Sequence, residues 1–200
     1  MMLSVLTATG ARPEAFARCV DMMQAQTISG RVRWVIVDDG PEAVPTPRVK
    51  DWQIAHIRPA PLWQPGENTQ ARNLLEGLKC CGDRVAIVED DDEYAPWWLE
   101  TVNRWLDGHD LVGEAPSIYR KLGGNKDRDM GNTKHASLCA TAFKGIGVRA
   151  TFEQICRQNK TMIDVKLWRA CKGRIYPQQG GVIGIKGYPG RPGIGIGHRL

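Results

Sequence analysis

The chain lacks a long hydrophobic run. Its unbroken apolar stretches are strand-sized, such as Val35–Val37 and Val85–Val88, whereas a helix that crosses a bilayer needs about 20 apolar residues. The N-terminus has no basic region before its first apolar segment and no small-residue cleavage site, both of which a secretory signal would show. We therefore expect no membrane insertion and a cytoplasmic location.

Regular cysteine spacing is also missing. The six cysteines are scattered, with one adjacent pair at Cys80 and Cys81 and no CxxC. Structural zinc sites and disulfide frameworks both depend on regular spacing. We interpret the cysteines as reduced core residues, because a free thiol packs as a small hydrophobe.

Acidic residues are scarce in the second half of the chain. From Tyr119 onward 16 Lys and Arg stand against 4 Asp and Glu, a net charge of +12, whereas the residues up to Ile118 have 11 against 18, a net charge of −7. Two interpretations remain open. Either the fold disperses this charge over the surface, or the basic half contacts a polyanion such as the phosphates of a nucleotide ligand or a nucleic acid.

Strands and helices alternate along the first half. Apolar segments at 3–6, 32–37, 53–57 and 84–88 predict strands, and helical periodicity follows Pro13, Ala71 and Pro96. Such alternation predicts a single α/β domain with a parallel sheet covered on both faces. Ligands of these sheets bind beyond the carboxyl ends of the strands, so the polar ends of three strands should converge: Thr7, Thr9 and Arg12; Asp38 and Asp39; and Glu89 to Asp92.

The second half has a different character. Residues 119–132 are polar, 135–143 predict a strand, and 148–156 and 161–171 predict helices. Residues 180–198 contain eight glycines and predict a flexible closing lid. We expect one compact domain with a ligand-binding half at 1–118 and a second half with this lid at 119–200.

Four consecutive acids, Glu89 to Asp92, follow the fourth predicted strand. Like charges raise one another's pKa unless a cation compensates them, and carboxylate oxygens suit Mg²⁺ or Mn²⁺. The alternative is a solvated loop that enters a helix, because acids also favour helix N-termini.

Taken together, four segments resemble the family 2 glycosyltransferases of the GT-A fold. They are SVLTATGARPEAFARC, WVIVDDGPE, NTQARNLLEG and VAIVEDDDEYAPWWLE, which occur in the family's order over about residues 3–106. The resemblance implies a metal-dependent enzyme that moves a sugar from a nucleotide-diphosphate sugar, with a UDP-sugar as the expected donor, to an acceptor hydroxyl. The implied cofactor is Mn²⁺ or Mg²⁺.

The resemblance also implies site residues. Asp91 matches the direct metal ligand, with Glu89 in place of the family's usual Asp, and Asp92 and His198 as further ligands. Arg72 has the alternative of pairing only with a neighbouring carboxylate. The implied donor-binding residues are Thr7, Thr9, Arg12, Asp38, Asp39, Arg72, Asn73, Asp90, Lys186 and Arg191.

Two residues are candidates for catalysis. Asp164, in the segment MIDVKLWR, resembles the base that takes a proton from the acceptor in inverting members, or is an ordinary acid at a helix N-terminus. His198 resembles a histidine that some GT-A enzymes supply from a C-terminal segment, or lies in a terminal tail. His135 is interpreted as a strand-edge residue.

The acceptor is predicted from a narrower resemblance and from the basic half. The chain resembles short phage and prophage members, some relatives of which modify hydroxymethylated pyrimidines in DNA, and the basic half fits that acceptor. A surface glycan or a lipid-linked saccharide is the alternative. Outside this class, a nucleotidyltransferase would show a glycine-rich basic loop that residues 7–12 lack, and a non-catalytic nucleic-acid-binding protein would leave the four acids unexplained.

Overall fold

The computed structural model describes residues 1–158 and 161–191. Its elements follow one another in this order: β1 (Leu3–Thr9), α1 (Pro13–Ala25), β2 (Val32–Asp38), β3 (Gln53–Ile57), α2 (Gln70–Leu78), β4 (Arg84–Ile87), β5 (Glu93–Tyr94), α3 (Trp98–Gly108), β6 (Leu111–Ala115), β7 (Ile118–Lys121), β8 (Asp127–Asp129), a 3₁₀ helix (Leu138–Ala140), β9 (Thr141–Phe143), α4 (Ile146–Gln158), α5 (Ile163–Ala170), β10 (Arg174–Pro177) and β11 (Val182–Lys186).

Seven strands form the central sheet, in the order β10-β6-β9-β4-β1-β2-β3. The pairs β1–β2, β1–β4, β2–β3 and β6–β10 are parallel. Only β9 runs the other way, antiparallel to both β4 and β6. The mostly parallel sheet predicted from the alternation of strands and helices is therefore present.

The sheet is buried on both faces, which explains why its strands are almost continuously apolar. In β1 and β2 the side chains of Val5, Leu6, Trp34 and Ile36 have no exposed surface, as expected for strands covered by helices on both sides. One hydrophobic core contains residues from both halves of the chain, from Leu3 to Val182. The structure is accordingly a single domain.

Helix α2 packs directly on the sheet because Gly77 allows a close approach. A Cβ atom at this position would lie 2.4 Å from Leu6 Cδ1 and 2.8 Å from Val37 Cγ2. The helix begins at the carboxyl edge of the strands, and this contact near its other end holds it against β1 and β2. Helices α1 and α4, with 13 residues each, are the longest of the described part, and no described helix has the length and apolar content to cross a membrane.

A smaller sheet, β5-β11-β7-β8, lies beside the central one. Strand β11 pairs parallel with β7 and antiparallel with β5, and its Val182 and Ile185 are buried. Residues 182–186, which the glycine content assigns to a flexible lid, are thus an internal strand. The residues of the predicted lid beyond 191 lie outside the described part.

One predicted strand is shorter than expected. Residues 135–143 contain the 3₁₀ helix and only three residues of strand. Ser137 accounts for the turn, because its carbonyl oxygen accepts from the Ala140 N–H at 3.0 Å and from Thr141 Oγ1 at 2.8 Å. This turn places Cys139 next to the end of β4.

Candidate active site

The candidate site lies at the carboxyl edge of the central sheet, where β1, β2 and β4 end. Parallel pairing aligns Thr9 with Asp38 and Leu6 with Ile87. After Ile87 the chain continues through Glu89–Asp92, here called the acidic segment. This is the edge at which open α/β sheets bind ligands.

Asp90 is fully enclosed and held from the end of β1. Thr9 Oγ1 donates to Asp90 Oδ2 at 2.6 Å, and the Arg12 guanidinium pairs with both Asp90 and Asp91. Burial raises the pKa of Asp90 to about 6, although the charge of Arg12 acts in the opposite direction. Arg12 therefore compensates carboxylates that would otherwise be buried without a counter-charge.

Asp92 is held from the other side, by β11. Its Oδ1 accepts from the Ile185 N–H at 2.9 Å and lies 3.4 Å from Lys186 Nζ. Its Oδ2 is buried and has no hydrogen-bond partner among the described residues. Burial raises the pKa of Asp92, with Lys186 opposing. The Lys186 ammonium also lies 4.6 Å from the centre of the Tyr119 ring, so it is a fixed cation of the site.

The acidic segment fits a divalent cation. Glu89, Asp92 and Cys139 each present a ligand atom within 4.8 Å of the others, and the unpaired Asp92 Oδ2 is an open oxygen ligand. Burial, with the charges of Asp92 and Asp91, raises the pKa of Glu89; its Oε1 also accepts from the Gln70 side chain. Asp91, predicted as the direct ligand, is outside this group of three.

Asp38 stabilises the loop after β2 and does not face the site. Its Oδ1 accepts from the Gly40 N–H at 3.0 Å and its Oδ2 from the Val44 N–H at 2.9 Å. Arg58 lies 2.8 Å from Oδ2. Both oxygens of this buried carboxylate are therefore taken by the protein, so Asp38 is not available to a donor as the sequence suggested.

Asp39, the neighbour of Asp38, pairs with two of the predicted donor-binding residues. Arg72 lies 3.1 Å from Oδ2 and Arg191 2.9 Å from Oδ1, and Thr69 Oγ1 donates to the same carboxylate. The Arg191 guanidinium also lies 5.4 Å from the centre of the Trp63 ring. The pairing of Arg72 with a neighbouring carboxylate, one of the two alternatives from the sequence, is present.

Thr7 differs from its predicted position in the donor pocket. It is on the same face of β1 as Thr9, two residues further into the sheet, and Trp34 Nε1 donates to its Oγ1 at 2.9 Å. The hydroxyl is fully buried and serves the core. Asn73, in the first turn of α2, is buried too, but its Nδ2 has no hydrogen-bond partner within the described part of the chain.

Asp164 lies in the first turn of α5, where its Oδ1 accepts from the Val165 N–H at 2.8 Å. Burial raises the pKa of Asp164, and the charge of His135 opposes this rise. The charge of Asp164 in turn contributes to the raised pKa of Glu89. The fold therefore brings Asp164, and His135 with it, toward the acidic segment. His198 lies outside the described residues.

A cleft of about 490 Å³ opens beside the acidic segment. Arg18, Arg120 and Lys121 line it, and the two arginines pair with Glu93 at 2.9 and 3.2 Å. Ile185, whose N–H binds Asp92, forms part of its wall. The cleft and the acidic segment thus share one strand.

Four site residues were missed by sequence reasoning: Thr69, Gln70, Trp63 and Cys139. Thr69 and Gln70 belong to the segment NTQARN, which also contains Arg72 and Asn73, so this segment was a usable signal. Trp63 and Cys139 had none, because each reaches the site through long-range packing that no local spacing encodes.

A mostly parallel sheet with an acidic segment after the strand that adjoins β1, and arginines around it, is the architecture of GT-A glycosyltransferases. Residues 4–165 match the family described as Glycosyl transferase family 2. The chain therefore belongs to that family, which confirms the resemblance found in the sequence. A search of curated proteins finds no match.

Solved structures confirm the GT-A fold. The crystal structure of S. aureus TarS superposes with a TM-score of 0.63 at 11% identity, covering 92% of this chain and 37% of that one. TarS 1–349 in complex with UDP superposes with a TM-score of 0.62 at 11% identity, covering 92% of this chain and 60% of that one. TarS 1–349 in complex with UDP-GlcNAc superposes with a TM-score of 0.59 at 11% identity, covering 92% of this chain and 58% of that one. The chain spans 37 to 60% of the length of these structures.

Proposed function

We propose that the chain transfers a sugar from a UDP-sugar to an acceptor hydroxyl with the help of a divalent cation, Mn²⁺ or Mg²⁺. The observation that carries this proposal is the meeting, at one sheet edge, of an acidic segment and three arginines. Membership in the glycosyl transferase family 2 supports the reaction class. UDP and UDP-GlcNAc are bound in the two TarS complexes, which supports the choice of donor.

The donor would bind along the line from Arg12 to Arg191. Guanidinium groups bind phosphate oxygens in a bidentate manner, and Arg12, Arg72 and Arg191 all reach the same edge through Asp39, Asp90 and Asp91. A diphosphate would compete with these carboxylates for the guanidinium groups. Thr9, Asn73 and Lys186 complete this proposed donor site.

Glu89, Asp91 and Asp92 would hold the cation, with His198 as a further proposed ligand. Bound there, the ion would stabilise the negative charge that develops on the departing UDP. Arg12 would orient the diphosphate and share that charge.

Asp164 would act as the base. The acceptor oxygen attacks the anomeric carbon as the bond from that carbon to the UDP oxygen breaks, and the acceptor proton passes to Asp164. Because burial raises the pKa of Asp164, the carboxylate is a stronger proton acceptor than an exposed aspartate. A direct attack of this kind inverts the anomeric centre.

The reaction is tested by release of nucleoside diphosphate from a panel of UDP- and GDP-sugars with and without Mn²⁺. We expect release from a UDP-sugar that needs the metal and that Asp91→Asn abolishes. Asp21→Asn, which changes an exposed acid of α1, is the matched control and should keep full activity. Absence of turnover with every donor, together with absence of metal binding, would overturn the proposal.

For the acceptor, we propose a hydroxymethylated pyrimidine in DNA. Its support is electrostatic: the chain from Tyr119 onward has a net charge of +12, and Lys121, Lys126 and Arg128 are exposed on β7, β8 and their connection. Lysines and arginines on one surface bind nucleic-acid phosphates without regard to sequence. The modified base would have to leave the helix stack to reach the anomeric carbon.

Transfer is compared on duplex DNA with and without hydroxymethylated pyrimidines, and on a lipid-linked or surface glycan. Labelling of the modified duplex alone supports the DNA acceptor. Labelling of the glycan with no effect of DNA would replace it by a glycan acceptor and leave the donor reaction unchanged.

A further inference from the structure

Among the described residues, Cys139 is the one cysteine that forms a group of three possible metal ligands with carboxylates. Its Sγ, one oxygen of Glu89 and one oxygen of Asp92 all lie within 4.8 Å of one another. Cys139 is 3% exposed and Asp92 is 1% exposed. Cys139 and Asp92 are thus buried, and the half-buried Glu89 lies beside them.

The antiparallel strand β9 produces this meeting. Val85 and Ala86 of β4 pair with Phe143 and Ala142 of β9. Since the two strands run in opposite directions, the chain before β9 lies beside the chain after β4. The 3₁₀ helix that carries Cys139 is therefore placed against the start of the acidic segment.

The Asp92 carboxylate gives a second indication of a bound ion. Its Oδ1 is occupied by the Ile185 N–H and by Lys186, whereas its Oδ2 is buried with no hydrogen-bond partner in the described part of the chain. A buried polar atom without a partner costs about 1–3 kcal/mol. A cation coordinated by Oδ2 would remove this cost.

A thiolate changes which ion such a site prefers. Hard ions such as Mg²⁺ bind oxygen ligands, whereas Zn²⁺, Co²⁺ and Cd²⁺ bind thiolate sulfur strongly. We propose that Glu89, Asp92 and Cys139 form a mixed oxygen and sulfur site that takes a thiophilic divalent cation, Zn²⁺ or a close relative, in preference to Mg²⁺. On binding, the thiol proton is released to solvent and a sulfur–metal bond forms.

This inference rests on the proposed role of the acidic segment as a metal site and revises its ligand set, with Cys139 in place of Asp91, whose carboxylate Arg12 holds. Its test needs no sugar donor. A failure here and a failure of the glycosyltransferase proposal are therefore distinguishable.

The probe is Co²⁺ added to the full chain in a thiol-free reductant, followed by absorption spectroscopy. We expect a sulfur-to-cobalt charge-transfer band in the wild type that Zn²⁺ displaces and excess Mg²⁺ does not. Cys139→Ser should remove the band, and Asp92→Asn should weaken Co²⁺ binding about tenfold or more, the size of effect that loss of supporting groups alone produces. Cys156→Ser, which changes another buried free cysteine, is the matched control and should keep the band.

Absence of the charge-transfer band in the wild type overturns the proposal. This outcome does not depend on whether the variants fold. A band that persists in Cys139→Ser, or one that Mg²⁺ displaces as readily as Zn²⁺, also overturns the proposal. Lys186→Met provides a further arm, because removing the ammonium 3.4 Å from Asp92 should tighten Co²⁺ binding. Unchanged or weaker binding in that variant would contradict the proposed position of the ion.

Discussion

At the scale of residues, two cationic side chains pair with different acids of the acidic segment. Arg12 pairs with Asp90 and Asp91, and Lys186 lies beside Asp92. Charges buried in this way stabilise a fold only while both partners are present. Each cation is consequently a structural partner of the acids as well as a proposed ligand for the donor.

Arg12→Met should destabilise the fold in a pH-dependent way. It leaves buried Asp90 without its guanidinium, for an expected loss of about 3 kcal/mol in the free energy of unfolding at pH 7.5. The folded-state pKa of Asp90 is already raised from 3.8 to about 6, and it rises further in the variant. A raised carboxyl pKa favours the folded state below pH 3.8 and loses that contribution as the pH rises through the folded-state pKa.

The loss measured by urea unfolding should therefore be smaller at pH 5.5 than at pH 7.5. Arg18→Met is the control, because the exposed pair that Arg18 forms with Glu93 is worth only about 0–1 kcal/mol. A loss that is equal at the two pH values would contradict burial of an uncompensated carboxylate.

Asp164→Asn should separate chemistry from binding. It removes the proposed base but keeps the shape of the side chain, so kcat should fall about 10²- to 10⁴-fold while UDP binding, measured by calorimetry, stays within a factor of two or so of the wild type. A retained kcat would show that Asp164 serves only the first turn of α5.

At the scale of elements, the close packing of α2 can be tested at Gly77. Gly77→Ala places a methyl group against Leu6 and Val37, and such overpacking costs about 1–3 kcal/mol. Gly147→Ala in α4 is the matched control, because nothing lies within 4 Å of its added Cβ and alanine is the better helix former by up to about 1 kcal/mol. Denaturant unfolding should show opposite signs for the two variants; a stabilised Gly77→Ala would contradict the contact.

Several elements were predictable because their signals are local. Pro13 begins α1, and Gln53–Ile57 is a strand as expected, since proline placement and apolar runs act within one element. The end of the chain was harder, because its glycines suggest flexibility while Val182 and Ile185 pack in β11. That strand forms only because β5 and β7 flank it on either side, which no pattern within 180–198 reveals.

At the scale of the whole molecule, the proposed DNA acceptor has a measurable consequence. Lys126→Glu combined with Arg128→Glu should weaken DNA binding and reduce the slope of log K against log salt by about 2, if each residue neutralises one phosphate. Donor hydrolysis should be unaffected. Binding is measured by fluorescence anisotropy over a range of salt concentrations.

The control for this pair is Arg31→Glu combined with Lys79→Glu, the same change of charge at exposed positions. Arg31 precedes β2 and Lys79 follows α2, so both lie at the opposite, amino-terminal edge of the sheet. An equal loss of DNA binding in the control would mean that net charge alone acts, and would remove the case for a DNA surface on β7 and β8.

Local patterns were enough to predict the alternation of strands and helices, the family, and the sheet edge at which the acids lie, because strand ends and motif order are local properties of the chain. Which acid contacts which partner depends instead on how the chain folds. Asp38 accepts hydrogen bonds from its own loop, whereas Asp39 pairs with Arg72 and Arg191. Cys139 lies beside Glu89 and Asp92 because β9 pairs antiparallel with β4, which precedes it by about 57 residues in the chain. Side-chain partners of that kind depend on long-range pairing and burial, which no local pattern records.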